Sequence, residues 1–296
     1  MTKKDIILLD GGMGQELIHR AGYRPTPLWS TQVMVDHPGM VADVHRAYFA
    51  SGATVATTNT YAIHRDRLIG TTLEDDFAAL HAAACKEAQS ARRDGQRIAG
   101  AIGPLIASYR PDAHPPLAEA IVLYREIANL LSPVVDLILG ETVASIEHGA
   151  AVLEGARVCG KPVWLAYTLD DEDGSVLRSG EPLSEAIAAS TGAAAILVNC
   201  SAPEAIDVAM PILAQGGYPF GGYGNGFEQI TKAFLGPKPT VDALAQRRDM
   251  GPAKYADHVM RWIGHGATIV GGCCEVGPDH IAEIAKRVTA EGHRIV

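Results

Sequence analysis

The sequence predicts an α/β fold, a closed (β/α)8 barrel in a single domain over residues 1–296, and three observations predict it. Eight short apolar runs recur along the chain, at 6–9, 53–58, 97–102, 136–139, 163–168, 194–198, 218–222 and 267–270. These runs are apolar throughout rather than alternating, as strands are in a parallel sheet covered on both faces. Helical patterns separate them, at 39–50, 73–93, 117–131, 145–158, 183–190, 203–214, 254–263 and 279–290. Eight βα repeats in this length fit a closed barrel. An open doubly wound sheet is the alternative architecture, and no shift in composition marks a second domain.

Composition narrows the function. The hydrophobic share of 47% is ample for a large core. A net charge of -9, with Lys and Arg scattered rather than clustered, argues against nucleic acid or an anionic membrane surface as partner. The apolar stretch that follows Met1 is too short for a signal peptide, and no later run reaches membrane-spanning length. A cytoplasmic protein acting on small molecules is the expectation. Five cysteines, an odd number with two adjacent, do not read as a disulfide framework, and a reducing compartment would keep them available as thiolates.

Barrels of this kind carry chemistry at the C-terminal ends of their strands, so the residues that follow each run matter most. In order, the runs end in Asp10-Gly11-Gly12-Met13-Gly14, Thr58-Asn59-Thr60-Tyr61, Gly103-Pro104, Gly140-Glu141-Thr142, Tyr167-Thr168, Asn199-Cys200, Gly224-Asn225 and Cys273-Cys274. Polar and reactive groups gather at one end of the predicted barrel. The other end opens with groups such as Lys161-Pro162. The seventh run is glycine-rich and the least defined.

Three thiols at two strand ends, Cys200, Cys273 and Cys274, suggest one metal site. Neighbouring side chains on an extended strand point to opposite faces, so the backbone has to turn at Cys273-Cys274 for both to face one ion. The preceding glycines and Gly277-Pro278 make such a turn easy. A vicinal disulfide or an oxidant sensor is the rival reading of the pair, but it leaves Cys200 unexplained. Cys85 and Cys159 fall in helical patterns and read as small buried hydrophobes.

Taken together, Asp10-Gly11-Gly12, the segment from Gly52 to Thr57-Thr58-Asn59-Thr60-Tyr61, Glu141-Thr142, Val198-Asn199-Cys200 and Gly271-Gly272-Cys273-Cys274 resemble the homocysteine S-methyltransferase family over nearly the whole chain. The resemblance implies a barrel that holds Zn2+ through Cys200, Cys273 and Cys274, with the sulfur of homocysteine completing the coordination. It implies a methyl donor such as betaine, S-methylmethionine or S-adenosylmethionine. It also implies that Asp10 and Glu141 contact homocysteine, whose ammonium needs acceptors. The amides around Gly11, Gly12 and Gly14 are candidates for its carboxylate, against a phosphate loop as the weaker reading of Gly-Gly-x-Gly. Trp29 and Tyr61 match aromatic positions near the family's active site, and aromatic faces suit an onium donor. Asn59 and Asn199 would orient substrate or satisfy loop backbone. No catalytic residue beyond the metal site is expected.

The chain departs from the family at two places. Members that use betaine carry a tyrosine after the glutamate, where this chain has Thr142, which favours a sulfonium donor. The segment from Tyr223-Gly224-Asn225-Gly226-Phe227 to Glu228 also differs from the usual wording. Connections 170–182 and 226–252 are long enough to cover a site. His64, His114 and His148 share no metal-binding spacing and read as surface or helix residues.

Rival functions make different demands. A Schiff-base aldolase would place a lysine at a strand end, and none of the eight ends has one. A hydrolytic zinc site is disfavoured because three thiolates make the ion a poor Lewis acid for activating water. A non-catalytic zinc or redox-sensing protein would saturate four ligands within the chain. Betaine-dependent methylation is the other alternative. The reading that fits best is transfer of a methyl group from an onium donor to homocysteine, giving methionine.

Overall fold

The computed structural model describes residues 3–22, 28–227, 230 and 246–296. Eight parallel strands follow in chain order: β1 (Asp5–Leu8), β2 (Val55–Thr57), β3 (Arg97–Ile102), β4 (Leu137–Val143), β5 (Val163–Tyr167), β6 (Ala195–Asn199), β7 (Phe220–Gly224) and β8 (Ile269–Gly272). Each of β2 to β7 pairs with the next, and β8 pairs with β1. The ring closes between β1 and β2 through a parallel Leu9–Val55 bridge, with the Thr54 N–H donating to Leu8 O (2.7 Å) and the Asp10 N–H to Val55 O (3.0 Å). A short β9 (Arg294–Ile295) pairs with the start of β1. This is the expected (β/α)8 barrel.

The helices are α1 (Met13–Ala21), α2 (Trp29–Asp36), α3 (Met40–Ala50), α4 (Arg65–Leu68), α5 (Phe77–Ala91), α6 (Leu117–Leu131), α7 (Ile146–Ala156), α8 (Leu183–Ala189), α9 (Pro203–Leu213), α10 (Pro252–Gly264) and α11 (Pro278–Ala290). Local chemistry sets several of their ends. Ser145 Oγ accepts the His148 N–H (3.1 Å) and caps α7. Proline opens α9, α10 and α11, where its missing N–H is harmless. The large core lies between the sheet and this helical shell, and a smaller cluster, including Leu9, Val55, Leu137, Leu139, Trp164, Leu197 and Ile269, fills the barrel interior.

Three differences from the sequence expectation bear on the site. Helices α1 and α2 were not expected; Gly11, Gly12 and Gly14 give the start of α1 the look of a loop. Strand β4 runs on to Val143, with a register shift between Gly140 and Val143 that lets Thr142 take a left-handed conformation (φ 56°). Strand β7 begins two residues later than its apolar run, at Phe220, so that Tyr223 and Gly224 lie within the sheet.

The strand alternation explains how the site forms. On β4, Leu137 and Leu139 face the interior, so the two-residue period carries Glu141 to the same side at the mouth. On β6, Ala195 and Leu197 lead in the same way to Asn199. On β8, Ile269 and Gly271 lead to Cys273. The mouth is the next layer of the interior.

Tyr255 of α10 ties the ends of β7 and β8 together. Its hydroxyl receives the Gly224 N–H (2.8 Å) and donates to Gly271 O (2.8 Å), and the side chain is fully buried. Tyr255→Phe keeps the ring and strands both groups, so urea unfolding should show a loss of about 1–3 kcal/mol. A change indistinguishable from zero would mean that the ends of β7 and β8 are held without it.

Candidate active site

All ten residues singled out as metal or substrate ligands line one cavity of about 610 Å³ at the C-terminal mouth of the barrel: Asp10, Gly11, Gly12, Trp29, Asn59, Tyr61, Glu141, Cys200, Cys273 and Cys274. The Sγ atoms of the three cysteines lie within 4.8 Å of one another. Three sulfurs each about 2.3 Å from one tetrahedral ion would stand roughly 3.8 Å apart, a spacing this cluster can take once all three cysteines are reduced to thiolates. Cys200 and Cys273 are paired as a disulfide, with Cα atoms 5.8 Å apart, and Cys274 is a thiol. The contact therefore joins β6 to β8 and does not form within the adjacent pair.

Backbone hydrogen bonds fix the sulfurs. Strand β7 lies between β6 and β8, and its end serves both: the Cys200 N–H donates to Tyr223 O (3.3 Å) and the Cys273 N–H to Gly224 O (2.8 Å). The Gly226 N–H holds Cys274 O (2.8 Å). As expected, the chain turns at the adjacent pair, with the Val276 N–H closing back on Cys273 O (3.1 Å). The left-handed residue of that turn is Glu275 (φ 61°), not a glycine. Glycine serves here through close approach instead, because a Cβ on Gly12 would stand 2.6 Å from Cys273 O. The Gly12 N–H is already donated to Val276 O (2.9 Å), so it is not available to a substrate.

The two acids stand deep in the cavity. Asp10 accepts the Thr57 N–H (2.8 Å) and its hydroxyl (3.1 Å). Burial pushes Asp10 up to about 8 against these hydrogen bonds, and the charge of Glu141 adds to the rise. Glu141 accepts from Tyr223 Oη (3.1 Å), and burial pushes it up to about 7. Burial also pushes the Cys274 thiol up to about 12; the Gln15 carboxamide beside it favours the thiolate, though neither of its amide atoms makes a well-directed hydrogen bond. Metal binding at such thiols releases protons.

The outer wall is aromatic. Trp29 and Tyr61 meet edge to face with ring centroids 6.2 Å apart, and Tyr61 Oη bonds Ser108 Oγ (2.8 Å). Trp29 packs on Gly14, where no side chain would fit. Asn59 donates to Ser30 O (3.2 Å) in the first turn of α2, and Asn199 accepts the Thr142 N–H (2.9 Å) near the end of β4, so both asparagines satisfy backbone groups. The 170–182 connection backs the wall from behind: Arg178, paired with Asp171 (2.7 Å), stacks 5.4 Å from the ring centroid of Tyr109, which lines the cavity. Of the 226–252 connection, 228–229 and 231–245 lie outside the described residues.

Some site residues were not singled out in the sequence. Thr57 and Tyr223, which hold the acids, follow the same inward period-two rows as Glu141. Gln15 and Arg67 carry no such signal. His64 departs from expectation, being buried ahead of α4, whereas His148 lies on α7 as expected and is buried there; Tyr124 Oη links His148 Nε2 (2.9 Å) to His114 Nε2 (3.1 Å). Cys85 is buried as expected, whereas Cys159 is half-exposed in a short 3-10 turn.

Comparison with known proteins places the chain. The family described as Homocysteine S-methyltransferase matches residues 7–288. The chain is 27% identical to Homocysteine S-methyltransferase of Escherichia coli (strain K12), covering 97% of this chain and 96% of that one. It is 26% identical to Selenocysteine methyltransferase of Astragalus bisulcatus, covering 94% and 91%. Among solved structures, the metallated form of the homocysteine methyltransferase MmuM from Escherichia coli superposes with a TM-score of 0.81 at 26% identity, covering 96% of this chain and 97% of that one. Its oxidized form gives 0.82 at 27% identity, with the same coverage. This chain belongs to the homocysteine S-methyltransferase family.

Proposed function

We propose that this protein transfers a methyl group from an onium donor, S-methylmethionine or S-adenosylmethionine in preference to betaine, to the thiolate of homocysteine, giving methionine, with Zn2+ held by Cys200, Cys273 and Cys274. The observation that carries the reading is the convergence of three cysteine sulfurs and two buried acids in one cavity. A zinc ion with three protein ligands and an open position supplies ionisation of a substrate thiol that, with a pKa near ~8.5, is mostly protonated at neutral pH.

The chain's own residues do the rest. Asp10 and Glu141 take the substrate ammonium, whose positive charge relieves the cost of holding two ionised acids out of water. Helix α1 begins at the cavity with no side-chain cap, and Met13, Gly14 and Gln15 line the cavity. Its unsatisfied first-turn amides suit the substrate carboxylate. Trp29 and Tyr61 offer aromatic faces to the donor's cationic centre. Thr142, where betaine-using members have tyrosine, bonds Asn199 and supplies no aromatic face, which supports a sulfonium donor.

Methionine formation from homocysteine, assayed separately with S-methylmethionine, S-adenosylmethionine and betaine on zinc-loaded protein, tests the reading. Turnover with a sulfonium donor is expected, and bound zinc without turnover on any donor would refute it. Glu141→Ala should raise the KM for homocysteine at least about tenfold, the loss of one charged hydrogen bond, with zinc still stoichiometric. Loss of the metal in that variant would contradict the assignment.

The buried acids also predict a pH effect on the ligand-free protein. A carboxylate whose folded pKa lies above its unfolded value costs stability as pH rises through the interval between the two, here from near ~4 up to about 8 for Asp10. Asp10→Asn escapes that cost. Relative to wild type, it should gain stability between pH 5 and 8, by up to ~1.4 kcal/mol per pH unit in urea unfolding. A difference that does not change with pH would show that Asp10 ionises freely.

A further inference from the structure

The outer half of the cavity holds a cation that the chemistry above does not use. Two arginines line the cavity. Arg110 is forked onto Asp112 (2.6 Å), and the neighbouring Arg65, outside the cavity, is paired with Glu126. Arg67, on α4, is half-buried and stands with its guanidinium 5.9 Å from the Tyr61 ring centroid. Among the described residues no carboxylate oxygen lies within 4.0 Å of it. The adjacent acid, Asp66, also lines the cavity; it feels the charge of Arg67 and takes the Ile106 backbone N–H, without forming an ion pair with Arg67.

We propose that Arg67 anchors a carboxylate of the methyl donor, so that the outer cavity selects zwitterionic onium compounds over donors that carry only the cation. This rests on the methyl-transfer reading and names a donor subsite within it. The geometry separates the two charges of such a donor. Its cationic centre would lie against the Trp29–Tyr61 aromatic pair, and Arg67, on the Tyr61 side, would receive a carboxylate a few bonds away. A guanidinium meets a carboxylate through two parallel hydrogen bonds, which fixes orientation as well as affinity. The arrangement also separates the two substrates by charge. Homocysteine's ammonium goes to the acids at the floor and its carboxylate to α1, while the donor's carboxylate goes to the rim.

The test uses paired ligands that differ in the carboxylate: S-methylmethionine against its α-methyl ester, and betaine against choline. Calorimetry on zinc-loaded protein reads binding whether or not turnover occurs, and methionine formation is measured in parallel. Wild type should bind the carboxylate member of at least one pair about 10- to 100-fold more tightly. Arg67→Met keeps the stem over Tyr61 and removes the charge. It should bind both members at the weaker level, Arg67→Lys should recover part of the preference, and homocysteine affinity should stay within about twofold in all three. A preference that survives in Arg67→Met, no preference in wild type for either pair, or an equal loss of homocysteine affinity would overturn the proposal. Arg67-dependent binding without methionine formation would refute the reaction and leave the subsite standing. Methionine formed equally well from acid and ester would do the reverse.

Discussion

The site depends on one constraint: the end of β7 holds the two strands on either side of it close enough for their cysteines to meet. Strands separated by a third lie roughly 9.6 Å apart, twice the ordinary spacing, yet the Cα atoms of Cys200 and Cys273 are 5.8 Å apart. Both chains lean over the end of β7, where Tyr223 O and Gly224 O accept their N–H groups. Tyr255 braces that end from outside, and the Tyr223 side chain reaches inward to Glu141. The most glycine-rich strand thus organises both the cysteine cluster and one of the acids.

Backbone strain is concentrated at the same place. Among the described residues, six non-glycine residues have positive φ: Trp29, Ile106, Tyr109, Thr142, Cys200 and Glu275. Five of them line the cavity, and Glu275 follows Cys274 directly. Each such conformation costs on the order of 1 kcal/mol or more, and it persists only where surrounding contacts over-determine it. Those contacts are visible here. Asn199 holds the Thr142 backbone, Arg178 stacks on Tyr109, and β7 holds Cys200. The barrel supplies the stability, and its mouth uses part of it to aim sulfurs and aromatic rings.

Much of this was legible in the sequence because parallel barrels place chemistry at strand ends, and uninterrupted apolar runs mark those ends. The cysteines, Asp10 and Glu141 are polar groups at the ends of such runs, and they converge as expected. The glycine-rich strand was shifted by two residues because Gly221 and Gly222 carry no hydrophobic signal. Helix α1 was hidden by the glycines its close approach to Cys273 requires. Arg67 and Gln15 were beyond reach for a different reason. Each is an ordinary residue in a helical segment, and only the closure of the barrel brings it to the cavity.

The central claim is that three cysteine sulfurs form an incomplete coordination shell that a substrate thiolate completes. X-ray absorption at the zinc edge of the loaded, reduced protein measures it directly, by counting sulfur ligands before and after homocysteine is added. The account predicts three sulfurs near 2.3 Å and a lighter atom in the resting protein, rising to four sulfurs with homocysteine. A sulfur count that does not change on adding saturating homocysteine would contradict it.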